Sequence, residues 1–142
     1  MNHISHVLAK KGNRIETIEP KASVLDAVQR MNDRRIGSLI VCERDVPIGI
    51  FTERDVLMRV VAVFADPRTT LVERVMTRDL VTIAPDTTIA EAMALITHRR
   101  CRHLPVVDGG RLIGLVSSGD LTAWLVRDQQ QTIYDLHDYI TH

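Results

Sequence analysis

The stretch Thr17–Val61, TIEPKASVLDAVQRMNDRRIGSLIVCERDVPIGIFTERDVLMRVV, recurs at Thr82–Val126 as TIAPDTTIAEAMALITHRRCRHLPVVDGGRLIGLVSSGDLTAWLV. The offset is 65 throughout (82 − 17), with no gap, and 12 of the 45 pairs are identical. Among the identities are Pro20/Pro85, Arg35/Arg100, Gly49/Gly114 and Asp55/Asp120. Most other pairs keep their polarity. Register held over that length is the mark of a duplication, and internal repeats decide architecture before any local reading. Two copies are too few for a solenoid, so the halves are expected to pack on each other.

Each copy spells the same order of elements. Thr17-Ile18 and Thr82-Ile83 form a short extended segment ahead of Pro20 and Pro85, and a proline biases its predecessor away from helix. Ser23 and Thr88 stand where a helix N-cap belongs, with Asp26 and Glu91 three residues on. Val24, Ala27, Val28 and Met31 then fall on one helical stripe, repeated by Ile89, Ala92, Met93 and Ile96. Two apolar runs split by a polar turn predict a hairpin. In copy one these are Leu39–Cys42 and Ile48–Phe51 around Glu43-Arg44-Asp45. In copy two they are Leu104–Val107 and Ile113–Val116 around Asp108-Gly109-Gly110. A last helix is expected from about Glu53 to Val63, and from about Ser118 to Arg127. The unit is β-α-β-β-α and the fold class is α+β. The connection carries a predicted short helix near Val72–Met76. Ile133, Leu136, Tyr139 and Ile140 give the tail an amphipathic helical pattern that needs something to pack on.

Composition narrows the function. The 142 residues suffice for one compact domain or two small ones. Hydrophobic residues at 45% and charged residues at 25% are ordinary for a globular chain, which excludes disorder and collagen-like structure. Lys+Arg and Asp+Glu are both 18, so the formal net charge is zero. Neutral charge and only five aromatics (Trp 1, Tyr 2, Phe 2) argue against nucleic-acid binding, which needs a basic face and stacking platforms. No apolar run approaches the roughly 18 residues of a membrane span. The start MNHISHVLAKKGN lacks the apolar core of a secretory signal. Cys42 and Cys101 cannot build a disulfide framework, and the expected setting is reducing and cytoplasmic.

The chemistry concentrates at matching places. Thr52-Glu53-Arg54-Asp55 and Ser117-Ser118-Gly119-Asp120 each give a hydroxyl, two spacers and a carboxylate where the second hairpin strand meets the last helix. A carboxylate there can accept hydrogen bonds from the two vicinal hydroxyls of a ribose, and a helix start suits a phosphate. The same spacing is also an ordinary capping box. His98-Arg99-Arg100-Cys101-Arg102-His103, with Arg34-Arg35 as its counterpart, is the densest basic cluster. It reads either as phosphate-binding forks or as a solvated helix end, where cations are favoured anyway. Its spacing is not a standard zinc pattern, and no metal site is expected. No nucleophile is marked out with a tuned base, so no catalytic residues are assigned and the chain is not expected to be an enzyme.

Taken together, the Thr-Ile-x-Pro start, the Leu-Pro-Val-Val-Asp strand, the Ile-Gly-Leu-Val-Ser strand and the Ser-x-x-Asp close resemble tandem cystathionine-β-synthase (CBS) domains. Val75-Met76-Thr77 is similar to the boundary before a second such domain, and Ile133–Ile140 to the closing helix of stand-alone pairs of the signal-transduction type. The resemblance divides the chain into an N-terminal helix (1–14), CBS domain 1 (15–63), a linker (64–80), CBS domain 2 (81–127) and a C-terminal helix (128–142). It implies two units packed as a pseudo-twofold CBS pair that takes adenosine ligands in clefts between them. AMP comes first, with ADP, ATP, NAD and S-adenosylmethionine as alternatives.

The family's ribose-binding Asp maps onto Asp55 and Asp120, and its hydroxyl partner onto Thr52 and Ser117. The adenine slot maps onto Gly37-Ser38 and Arg102-His103. Arg54, Arg102 and His103 are the implied phosphate contacts. Ile40 opposite Pro105, and a hairpin loop without glycines in copy one, predict that the two pockets differ in shape. The implied function is a regulatory nucleotide sensor, a homodimer meeting through its helices, that modulates an unknown protein in trans. The competing expectation is an interaction scaffold whose pockets bind nothing.

Overall fold

The computed structural model describes residues 2–12 and 14–141; the expected helices at 1–14 and 128–142 therefore include Met1, Asn13 and His142, which lie outside the described residues. Two βαββα repeats form an α+β pair. In the first, β1 (Thr17–Ile18) leads to α2 (Val24–Arg34), β2 (Ser38–Glu43), β3 (Val46–Thr52) and α3 (Glu53–Val56), which runs on into a π-helical turn, Leu57–Val61. In the second, α5 (Ile89–Arg99) precedes β4 (His103–Asp108), β5 (Arg111–Ser117) and α6 (Ser118–Thr141). Helix α1 (Ile4–Lys11) comes ahead of the first repeat and α4 (Val72–Val75) lies between the two.

The expected caps are in place. Ser23 and Thr88 accept hydrogen bonds from the amides of Asp26 (3.0 Å) and Glu91 (3.1 Å). Both long repeat helices end on a left-handed arginine, Arg35 at φ 55° and Arg100 at φ 53°. Much of the basic cluster thus consists of a helix C-cap and its solvated surroundings. The hairpins share one register, with a bulge at Val41/Cys42 and at Val106/Val107. Their turns also match: Arg44 and Asp45 take φ 52° and 66°, Gly109 and Gly110 take 60° and 80°. The missing glycines in copy one therefore leave the shape of the turn unchanged.

Proline makes a real difference one strand in. β1 pairs in parallel with β2, and the Ile40 amide donates to the Glu16 carbonyl (3.3 Å). Pro105 has no amide to offer at the matching place. The second copy keeps only the Ile83–Val106 bridge, and its extended segment is not a full strand.

The connecting helices exchange places. Ile4, Val7 and Leu8 of α1 are buried with Ile89, Leu104, Val106, Val116 and Leu121 of the second repeat. Val72, Val75 and Met76 of the linker are buried with Val24, Leu39, Val41 and Phe51 of the first. Glycine permits both approaches. A Cβ on Gly49 would sit 2.7 Å from the Met76 sulfur, and one on Gly114 2.7 Å from Leu8 Cδ2. The last helix also departs from expectation, because α6 runs unbroken through the anticipated end near Arg127. Asp128-Gln129-Gln130-Gln131 contains no glycine or proline to stop it. No helix among the described residues is long and apolar enough to cross a membrane.

Candidate functional site

Both hydroxyl-x-x-carboxylate segments fold as reciprocal caps at the start of a helix. In repeat one, Asp55 Oδ2 accepts from the Thr52 amide (3.0 Å) and hydroxyl (3.2 Å), and the Asp55 amide reaches Thr52 Oγ1 (3.3 Å). In repeat two, Asp120 Oδ2 accepts from the Ser117 amide (2.8 Å) and the Asp120 amide donates to Ser117 Oγ (3.1 Å). The incoming strand is tied to the same corner in both copies. The Glu53 amide donates to the Gly37 carbonyl (3.1 Å), and the Ser118 amide to the Arg102 carbonyl (2.9 Å). Each corner thus holds a fixed carboxylate beside the start of the first hairpin strand.

The two carboxylates differ in what covers them. Met76-Thr77 zips onto the edge of β3, the Thr77 amide donating to the Ile50 carbonyl (2.8 Å) and its hydroxyl to Asp55 Oδ1 (3.1 Å). Arg59 Nε lies 3.9 Å from the same oxygen. Asp55 is left with 8% of its side chain exposed and protein partners on both oxygens. In repeat two one flexible side chain takes both of Thr77's bonds. Lys11 Nζ, at the end of α1, donates to the Leu115 carbonyl (2.7 Å) and to Asp120 Oδ2 (2.6 Å). Asp120 keeps 27% exposure, and its bonds with described residues all fall on one oxygen.

A cleft of about 310 Å³ opens between the repeats at this second corner. Gly37 and Ser38 come to it from repeat one, His103, Leu115, Ser117 and Asp120 from repeat two, and Lys11, Arg14 and Glu16 from the chain ahead of β1. Five of the nine residues singled out in the sequence therefore converge. Thr52 and Asp55 form the other corner. Arg54 does not line this cleft; its Nε contacts the Met58 sulfur at 3.3 Å on the surface. Arg102 lines it neither, and contributes its carbonyl to the Ser118 amide. Lys11 escaped the sequence reading. It precedes the repeated stretch, so no in-register partner marked it, and only the crossing of α1 onto repeat two brings it to Asp120.

Electrostatics at the cleft follow from these contacts. Burial pushes the Asp120 carboxyl up, but the hydrogen bond from Lys11, those from Ser117 and the Lys11 charge together hold it below its ordinary value. His103 is shifted down, first by burial and then by the Lys11 and Arg102 charges, against the pull of Asp120. The imidazole is therefore neutral at pH 7. Cys42 and Cys101 are free thiols. Burial, then the Asp45 charge, raises Cys42 to about 11 and keeps it protonated.

Comparison with known proteins agrees with this architecture. The CBS domain profile matches residues 5–62 and 72–127. The mitochondrial CBS domain-containing protein CBSX3 of Arabidopsis thaliana is 35% identical over 123 residues, covering 83% of this chain and 60% of the relative. The chain thus spans less than two thirds of that protein's length. The solved structure of a signal-transduction protein with CBS domains from Burkholderia ambifaria is 39% identical and superposes with a TM-score of 0.82, covering 89% of this chain and 96% of that one. The CBS domain pair of protein MJ0100, solved with 5′-methylthioadenosine and S-adenosyl-L-methionine, shares the fold at a TM-score of 0.78 and 20% identity, over 90% of this chain and 98% of that one.

Proposed function

The chain belongs to the CBS domain family, and from that premise we propose that it is a regulatory module that binds an adenine nucleotide between its repeats and signals occupancy to a partner protein. The cleft at Asp120 carries the reading. It joins backbone from one repeat to a fixed carboxylate, a hydroxyl and a neutral imidazole from the other, with Asp120 Oδ1 open to a ribose hydroxyl. The adenosine compounds bound by the MJ0100 pair support the ligand class. AMP is the first candidate, because the Lys11 ammonium lines the cleft beside Asp120 and suits a phosphate. Binding rather than catalysis is the task, since both carboxylates serve as hydrogen-bond acceptors and no activated nucleophile accompanies them among the described residues. The free thiols fit a reducing compartment, and we place the module in the cytoplasm.

Thermal shift and calorimetry with AMP, ATP, NAD and S-adenosylmethionine test this. A ligand at about 100 times its Kd stabilises the fold by about 2.7 kcal/mol. No shift with any of the four would remove the sensor reading and leave the scaffold. The closed corner at Asp55 favours a single ligand rather than two, with the first repeat serving as frame.

A further inference from the structure

Lys11 is the place where the two corners part. At Asp55 the covering bonds come from Thr77, whose backbone is paired with β3 on both sides, Thr77 N to Ile50 O at 2.8 Å and Ile50 N to Thr77 O at 2.9 Å. Uncovering Asp55 would mean peeling a strand edge away. At Asp120 the same two acceptors, the strand carbonyl and the carboxylate, are held by one ammonium on a four-carbon stem that is 35% exposed. Such a group can leave by side-chain rotation alone, on a nanosecond scale.

The ammonium also forms a partition. Lys11 and Asp120 together line the 310 Å³ cleft and a neighbouring cavity of about 300 Å³, whose other walls include Lys10, Trp124 and Arg127. That second cavity is basic. The two vicinal hydroxyls of a ribose engage both oxygens of a carboxylate: one meets the open Asp120 Oδ1, and the other competes with Lys11 for Oδ2. A neutral nucleoside would free the ammonium with nothing to replace its carboxylate. A ligand bearing a phosphate supplies the replacement in the same move.

We propose that Lys11 is an anion-selecting gate: ribose hydroxyls displace it from Asp120, and the released ammonium then holds the ligand's phosphate at the mouth of the basic cavity walled by Lys10 and Arg127. This rests on the nucleotide-binding reading above and assigns its preference for phosphorylated ligands to Lys11 rather than to Arg54 or Arg102. Arg14 is the rival cation at the cleft, and it lies 3.5 Å from Glu16.

The test uses adenosine and AMP as probes on the full chain. Calorimetry is read together with the emission of Trp124, the single tryptophan, which lines the basic cavity. The wild-type chain should bind AMP at least tenfold more tightly than adenosine. Lys11→Met should bring that ratio close to one, by weakening AMP and strengthening adenosine. Lys11→Arg should retain most of the preference, which keeps the test readable if the methionine variant melts early. Arg14→Ala should leave the ratio nearly intact. An unchanged ratio in Lys11→Met, or a ratio lost in Arg14→Ala instead, overturns the gate while leaving the nucleotide site standing. Binding of neither compound by the wild-type chain overturns the gate, and overturns the nucleotide site with it when ATP, NAD and S-adenosylmethionine fail to bind as well.

Discussion

Asp55 and Asp120 hold the same place in the two repeats, yet truncating them should have different consequences. Asp55→Ala strips partners from the Thr52 amide and the Thr77 hydroxyl at a nearly buried corner. Leaving a buried donor unsatisfied costs about 1–3 kcal/mol, so a loss of about 2–3 kcal/mol in denaturant titration is expected. Asp120→Ala removes a cap at a half-open corner and should cost about 1 kcal/mol. Ligand binding should respond the other way round, abolished by Asp120→Ala and retained by Asp55→Ala wherever that variant is folded. Equal binding loss in both would restore two equivalent ribose sites.

His103 gives a pH signature of its own. Its folded pKa lies below the ordinary 6.5. The unfolded chain therefore takes up a proton first as pH falls through 6.5, and stability declines from there down to the folded value. Asp120 works lower: its depressed pKa stabilises the fold above about pH 4, and that contribution is lost as pH falls through the folded value. Melting temperature followed by circular dichroism should thus begin to drop near pH 6.5. His103→Gln should flatten the upper part of that slope, and matching slopes in the two proteins would dismiss the assignment.

Among the elements, the hairpin turns expose a local cost. Arg44 at φ 52° sits where its repeat partner is Gly109. A left-handed conformation costs a non-glycine residue roughly 1–2 kcal/mol, and glycine recovers part of that at the expense of a freer unfolded chain. Arg44→Gly should therefore stabilise by about 0.5 kcal/mol, readable as a higher urea midpoint with unchanged slope. Gly114→Ala should destabilise by about 1–3 kcal/mol, since the new methyl meets Leu8 and pushes α1 off the second core.

These elements also mark how far the sequence could be read. The repeat, its hairpins and its caps were legible because they rest on periodicity and local hydrogen bonding. The crossing of α1 onto repeat two was not, since the stripe Ile4, Val7, Leu8 demands burial without naming the core that provides it. Lys11 stayed hidden for the same reason. The unbroken α6 was half legible: its interior lacks any breaker, but the resemblance to a two-part ending obscured that.

At the scale of the molecule, apolar surface remains to be covered. Val60 and Leu121 are buried in the two cores and offer nothing to an outer face. The exposed apolar side chains include Leu57, Met58, Val61, Val63 and Phe64 around the end of the first repeat, and Ile133, Tyr134, Leu136, Tyr139 and Ile140 along α6. Phe64 is 95% exposed. The 24 residues of α6 extend roughly 36 Å at 1.5 Å per residue, and the described residues beyond Val126 have no place in either buried core. Patches of this kind mark association surfaces, and zero net charge offers no repulsion against self-contact. A twofold pairing buries the same face on both copies. Light scattering at micromolar concentration should therefore give about twice the 16.0 kDa of the chain. Phe64→Asp combined with Leu57→Asp should shift the population to monomer if the end of the first repeat forms the seam. Ile133→Asp with Tyr139→Asp should do so only if α6 contributes to it. A wild-type monomer at that concentration would leave both apolar faces for a different protein, such as the partner proposed above.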